Sequence, residues 1–181
     1  MTGSETTLVL GDEIDRLADQ YDRVEAMGED ADDSTSGQAV RWSLNELDQQ
    51  GNALAALADE HGRDAVVTVR GLTAGEFGRV EDRVDAARAR RDDGASMQGY
   101  HRVVYAAAGL VEAPFFKPDD VANPPWDERT ARQQLDAKIE TVAGLNIGLA
   151  KWLYSRVDEE TTPDAGNWKP SSEQRSASQG G

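Results

Sequence analysis

The sequence predicts a mainly α protein, a small helical domain with an N-terminal helical hairpin and one or two short strands. Three observations predict it. Apolar residues recur at helical spacing through most of the chain. Glycines, prolines and capping residues cut that pattern into short segments. The clear β-branched run, Val66-Val67-Thr68-Val69, is brief and ends at Gly71.

Met1 to Thr7 reads as a loose lead-in and Leu8-Val9-Leu10 as a short strand ended by Gly11. Asp12 is suited to cap a first helix, with Ile14, Leu17, Ala18, Tyr21 and Val24 on one stripe. Gly28 closes it, and Glu29 to Gly37 is an acidic, serine-rich connection. A second helix is expected from about Ser36 to Glu60. Its seam of Val40, Leu44, Leu47, Gly51, Leu54 and Ala58 alternates spacings of four and three. Gly51 on that seam suits close backbone approach. Two such helices joined by a short linker form an antiparallel hairpin.

Gly62 ends the second helix, and a strand from Ala65 to Arg70 follows. Leu72-Thr73-Ala74-Gly75-Glu76-Phe77 is a complete helix start. Thr73 accepts from the N–H of Glu76, Glu76 reaches back to the N–H of Thr73, and Leu72 and Phe77 stand at staple positions. The third helix should run to about Arg91 with Phe77, Val80, Val84 and Ala87 inward. After the turn Asp92-Asp93-Gly94, a fourth helix is expected from Ser96 to Val111. Its face of Tyr100, Val103, Val104, Ala107, Ala108 and Val111 is rich in alanine. Ala113-Pro114-Phe115-Phe116-Lys117-Pro118 and Asn123-Pro124-Pro125-Trp126 form a proline-rich extended segment. Asp127 caps a fifth helix with Leu135, Ile139 and Val142 on its stripe. Gly144 marks a break before a last helix with Leu145, Leu149, Trp152 and Leu153. From Asp158 the chain turns polar, with Pro, Gly and Ser, and reads as a disordered tail. The organisation is then a hairpin over 1–62, a helical core over 63–157 and a tail over 158–181.

The 181 residues carry a net charge of −15, and lysine occurs only at 117, 138, 151 and 169. Acid excess with lysine depletion fits a haloarchaeal cytoplasm, where dense carboxylates keep proteins soluble in multimolar salt. A nucleic-acid partner is not expected, because a duplex binder needs a basic face. The run Arg88, Arg90, Arg91 is followed at once by Asp92 and Asp93 and complements a helix C-terminus. There is no cysteine, so thiolate chemistry and Cys-based zinc sites are excluded. Met1 to Leu10 shows no leader pattern, and no stretch has the length of a membrane span.

No motif marks a catalytic or metal site. Asp30-Ala31-Asp32-Asp33-Ser34 lacks the turn glycine of a calcium loop, and Arg41 stands where the bidentate Glu belongs. His61 suits a helix C-terminus and His101 a core boundary; no nucleophile elbow or phosphate loop is present. Gly144 and Gly148 mark a helix break or tight packing. Phe115, Phe116 and Trp126 either fold back over the core or form a docking patch, and Trp152 offers the same choice. Trp168, in the polar tail, suits a short recognition element.

In order, the strand, the Arg70-Gly-Leu-Thr-x-x-Glu-Phe77 helix start and Tyr105-Ala-Ala-Ala-Gly-Leu-Val-Glu-Ala-Pro114 are followed by a proline-rich linker. Two helices, Leu135 to Gly144 and Leu145 to Tyr154, complete the series. From Ala65 to Val157 this resembles the tail assembly chaperones of tailed bacteriophages and their haloarchaeal virus relatives. The resemblance implies a non-enzymatic protein without cofactor or metal. It implies binding and shielding of the tape measure protein, assistance to the tail tube protein, and action in the host cytoplasm without retention in the mature virion. The hairpin Asp12 to Glu60 departs from the family's compact pattern and would be an added element for homo-oligomerisation or tape-measure binding. The alternative is a structural virion component, a head–tail connector or tail completion protein.

Overall fold

A computed structural model describes residues 5–29, 35–91, 96–120 and 124–162. Their order is β1 (Glu5–Val9), α1 (Leu10–Glu29), α2 (Thr35–His61), β2 (Val66–Arg70), α3 (Ala74–Arg88), α4 (Gln98–Gly109), β3 (Leu110–Glu112), α5 (Ala131–Ala143) and α6 (Ile147–Thr161). The protein is mainly helical, as expected, with a small three-stranded antiparallel sheet ordered β1-β2-β3.

The sheet starts earlier than the sequence suggested. Glu5 to Thr7 belong to β1, because each has a partner on β2: Glu5 faces Arg70, Thr6 faces Val69 and Thr7 faces Thr68. Leu8, Val67 and Val69 turn one face of this ribbon into the core. Gly11 does not separate strand from helix, and Asp12 is no cap. The chain passes directly from Val9 into α1, with the N–H groups of Leu10 and Gly11 satisfied by the Ala65 and Arg63 carbonyls. β3 replaces the expected last turn of the fourth helix. Leu110 leaves helical geometry at the end of α4 and pairs with Val69 across an irregularity at Thr68/Val69.

The core is continuous among the described residues. Leu17 of α1 and Leu47, Leu54 and Leu57 of α2 join Val67 and Val69 of β2, Val80 of α3, Val104 of α4 and Trp152 of α6 in one cluster. The hairpin therefore packs on the rest of the chain. Burial along it is uneven: the buried apolar side chains are Leu10 and Leu17 on α1 and Leu47 to Ala58 on α2, the halves nearest the sheet. Toward the hairpin tip, Met27 and Trp42 are exposed.

α6 lies against α2, α4 and β2. Three glycines set how closely, and a Cβ on Gly109 of α4 would run into Val157 of α6. A Cβ on Gly148 would run into the Gln49 carbonyl of α2, and one on Gly71 into the Glu160 carbonyl of α6. Gly71 thus serves a tertiary contact as well as ending β2, and the Leu72 N–H beside it donates to Thr161 Oγ1 at 2.9 Å. Gly51, expected to admit close approach, faces open space. The tight helix–helix contact on α2 comes from its partner, Gly148, instead.

Docking of the α6 end also carries the helix past the expected tail boundary. Val157 is buried, Tyr105 donates to Asp158 at 3.2 Å, and the helix continues to Thr161. Residues 163–181 of the expected tail, with Trp168, and the acidic loop 30–34 lie outside the described residues.

Candidate functional site

The capping box of the β2–α3 junction forms as the sequence specifies, but Phe77, expected inward, is exposed and only meets Tyr105 edge to face at 6.2 Å. Thr73 caps α3 and exchanges both capping-box bonds with Glu76. The structure adds a partner the local pattern does not contain. Arg70, at the end of β2, lays its guanidinium fork on Glu76, with bonds of 2.9 and 2.5 Å to the two carboxylate oxygens. Oε2 of Glu76 also accepts from the Thr73 N–H at 3.0 Å and the Thr73 hydroxyl at 2.9 Å. These donors, the Arg70 guanidinium first among them, hold the Glu76 carboxyl down at about 2. Glu76 in turn pushes the Arg70 guanidinium upward.

This junction is one end of a groove enclosing about 390 Å³. α3 supplies one wall through Arg79, Asp82, Arg83 and Ala86. α5 supplies the other through Ala131, Arg132, Gln134, Leu135, Asp136 and Lys138, and Ala108 of α4 lies between them. Arg83 and Asp136 bridge the two walls in an ion pair. Lys138 donates to the Leu110 carbonyl and sits 5.6 Å from the Trp126 ring centroid. Burial, with the nearby Arg70 charge, lowers the Lys138 ammonium to about 8. Five cationic side chains and three carboxylates line the groove, an excess of positive charge in a chain of net charge −15.

α5 is positioned by a second capping box. Thr130 accepts from the Gln133 N–H, and Gln133 returns a bond to the Thr130 N–H. Asp127, the expected cap, lies instead in the short 3-10 turn Trp126–Glu128. Gln134 fastens that turn to α5 by donating to the Trp126 carbonyl at 2.8 Å.

The aromatic residues singled out for partner binding are dispersed. Phe116 is buried and meets the half-buried Trp126 edge to face at 5.4 Å; Phe115 is half-buried against the core. Trp152 is fully buried, and its Nε1–H donates to Glu13 Oε2 at 3.0 Å. That oxygen also accepts from Arg16 at 3.1 and 3.0 Å and lies 3.4 Å from Arg156 Nε. Glu13 is the buried acid that ties α1 to α6. The sequence carried a signal for it: Leu10, Glu13 and Leu17 share one helical face, so Glu13 interrupts an apolar stripe. Trp42 was likewise legible as exposed, because it falls off the α2 seam.

His101, at the core boundary, pairs with Glu81 at 3.0 Å and stacks beside Tyr105. No group of three or more potential metal ligands converges among the described residues, and no described helix is long and apolar enough to cross a membrane. Comparison of the chain with protein-family models, curated proteins and solved structures found no match.

Proposed function

We propose that this chain is a non-enzymatic tail assembly chaperone of a haloarchaeal tailed virus. It binds and shields the tape measure protein and assists the tail tube protein, acting in the host cytoplasm and absent from the mature virion. The observation that carries this reading is the order of elements from Val66 to Thr161. A strand leads through the Arg70-Gly-Leu-Thr start into a capped helix, then a helix entering Leu110 to Pro114, a proline-rich linker, and two helices parted at Gly144. The groove between α3 and α5 lies within that same segment and adds a surface suited to protein binding.

The test is co-expression with the tape measure protein followed by capture on this chain, alongside deletion of the gene from the virus. Capture and loss of full-length tails on deletion are expected. Absence of capture with normal tails would refute the reading. Stoichiometric recovery of the chain from purified virions would favour a structural virion component instead.

A further inference from the structure

Most charges lining the α3–α5 groove are already engaged. Arg70 is held by Glu76, Arg83 by Asp136, and Lys138 by the Leu110 carbonyl and the Trp126 ring. Arg79 and Arg132, both exposed and on opposite walls, have no acidic partner among the described residues. Asp82 is the lining carboxylate without a cation, so the unmatched charge of the groove is positive.

We propose that the groove is a docking site for an acidic helical segment of a partner protein, whose carboxylates pair with Arg79 and Arg132. The proposal rests on the reading of this chain as a binder of a long helical protein and names the chemistry that such a protein presents. Arginine forks suit carboxylates, which they grip in two places. Ala86, Ala108 and Leu135 add apolar lining that a side-chain methyl fills and a free phosphate does not. A nucleic acid fits less well: Asp82 and Asp136 stand in the lining, and a dense phosphate backbone meets the repulsion of a chain of net charge −15. A helix with two carboxylates on one face and an aliphatic residue between them meets the groove without a continuous negative strand.

The probe is a fluorescein-labelled, alanine-based helical peptide with Glu at i and i+7 and a Leu at i+4, which share one face, followed by anisotropy against the full chain. The Arg79→Glu/Arg132→Glu variant should bind about tenfold or more weakly, the sum of two lost ion pairs and two new repulsions. Arg23→Glu, on α1 and outside the groove, should bind as the parent does. A peptide with Lys in place of Glu should bind the double variant better than it binds the parent. A gain shown by the groove variant and not by Arg23→Glu keeps the test valid if the double variant is less stable. Equal weakening by Arg23→Glu, or failure of the Lys peptide to gain, would overturn the proposal. So would displacement of the peptide by inorganic phosphate or a single-stranded oligonucleotide at the same charge concentration. Capture of the tape measure protein by parent and double variant separates the two levels. Equal capture by both removes the groove and leaves the function standing. No capture by the parent, with normal tails on deletion of the gene, removes the function, whatever the peptide does.

Discussion

Glu76→Gln isolates the ionic part of the β2–α3 junction. Glutamine keeps a carbonyl oxygen within reach of the Thr73 N–H, so the capping box survives in its Gln form. What disappears is the charge that Arg70 grips. In the folded chain the Glu76 carboxyl is held from the usual 4.5 down to about 2. At about 1.4 kcal/mol per pKa unit that difference corresponds to about 3 kcal/mol, and solvent screening at a half-buried pair reduces it to about 1–2 kcal/mol. A carboxyl whose folded pKa is depressed stabilises the fold fully above its unfolded pKa. The contribution fades as pH falls from there toward the folded value. The variant should therefore unfold in urea with about 1–2 kcal/mol less stability near pH 7, and the gap should narrow from about pH 4.5 downward. Equal stability of the two chains near pH 7 would refute the reasoning. So would a gap that stays constant through the carboxylate titration range, which would mean that packing rather than charge is lost.

Thr73→Ala removes the cap itself and should cost about 1 kcal/mol, read in the same urea titration. Glu13→Gln removes the carboxylate beside the Trp152 N–H and Arg156 Nε while Arg156 keeps its ion pair with Glu159, and should cost about 2–3 kcal/mol in thermal or chemical unfolding. A smaller loss than for Glu76→Gln would show that Glu13 is not the central counter-charge. Gly148→Ala forces a methyl against the Gln49 backbone and should cost about 1–3 kcal/mol, with weakened near-UV circular dichroism from Trp152. Lys138, lowered to about 8 by burial, is a cation whose burial opposes folding while it is charged. The parent should therefore gain stability relative to Lys138→Met as pH rises from about 8 toward 10. A flat difference over that range would refute the burial assignment.

Local chemistry was readable in the sequence; pairing between distant segments was not. The Thr73–Glu76 box could be read because its residues are three apart, whereas the Arg70 grip on Glu76 lies outside that pattern. Thr130 and Gln133 show the same spacing, yet Asp127 competes with them as a strong cap, and only the Trp126 turn fastened by Gln134 decides between them. Leu110 and Val111 continue the apolar face of α4 and read as helix, and their strand conformation comes from β2, whose edge lies next to them. The groove was hidden for a similar reason. Its residues come from Arg70 to Ala86, from Ala108 and from Ala131 to Lys138, and nothing in any one stretch shows that the others lie beside it. Glu13 was legible in principle, since a lone acid on an apolar stripe needs a buried partner.

The bond from Trp152 to Glu13 joins positions near opposite ends of the described chain. During synthesis on the ribosome, β1, α1, α2 and β2 all emerge before α6 exists to cover them. Until then Glu13 has Arg16 of its own helix but not Trp152, and the inner face of the sheet lacks its α6 cover, so the growing polypeptide must keep that face hydrated or borrow temporary cover. Cooperative folding is therefore a late event in the life of each molecule. A prematurely terminated product would leave an apolar sheet face open, the kind of exposed hydrophobic surface that makes partly folded chains prone to aggregate and dependent on chaperones.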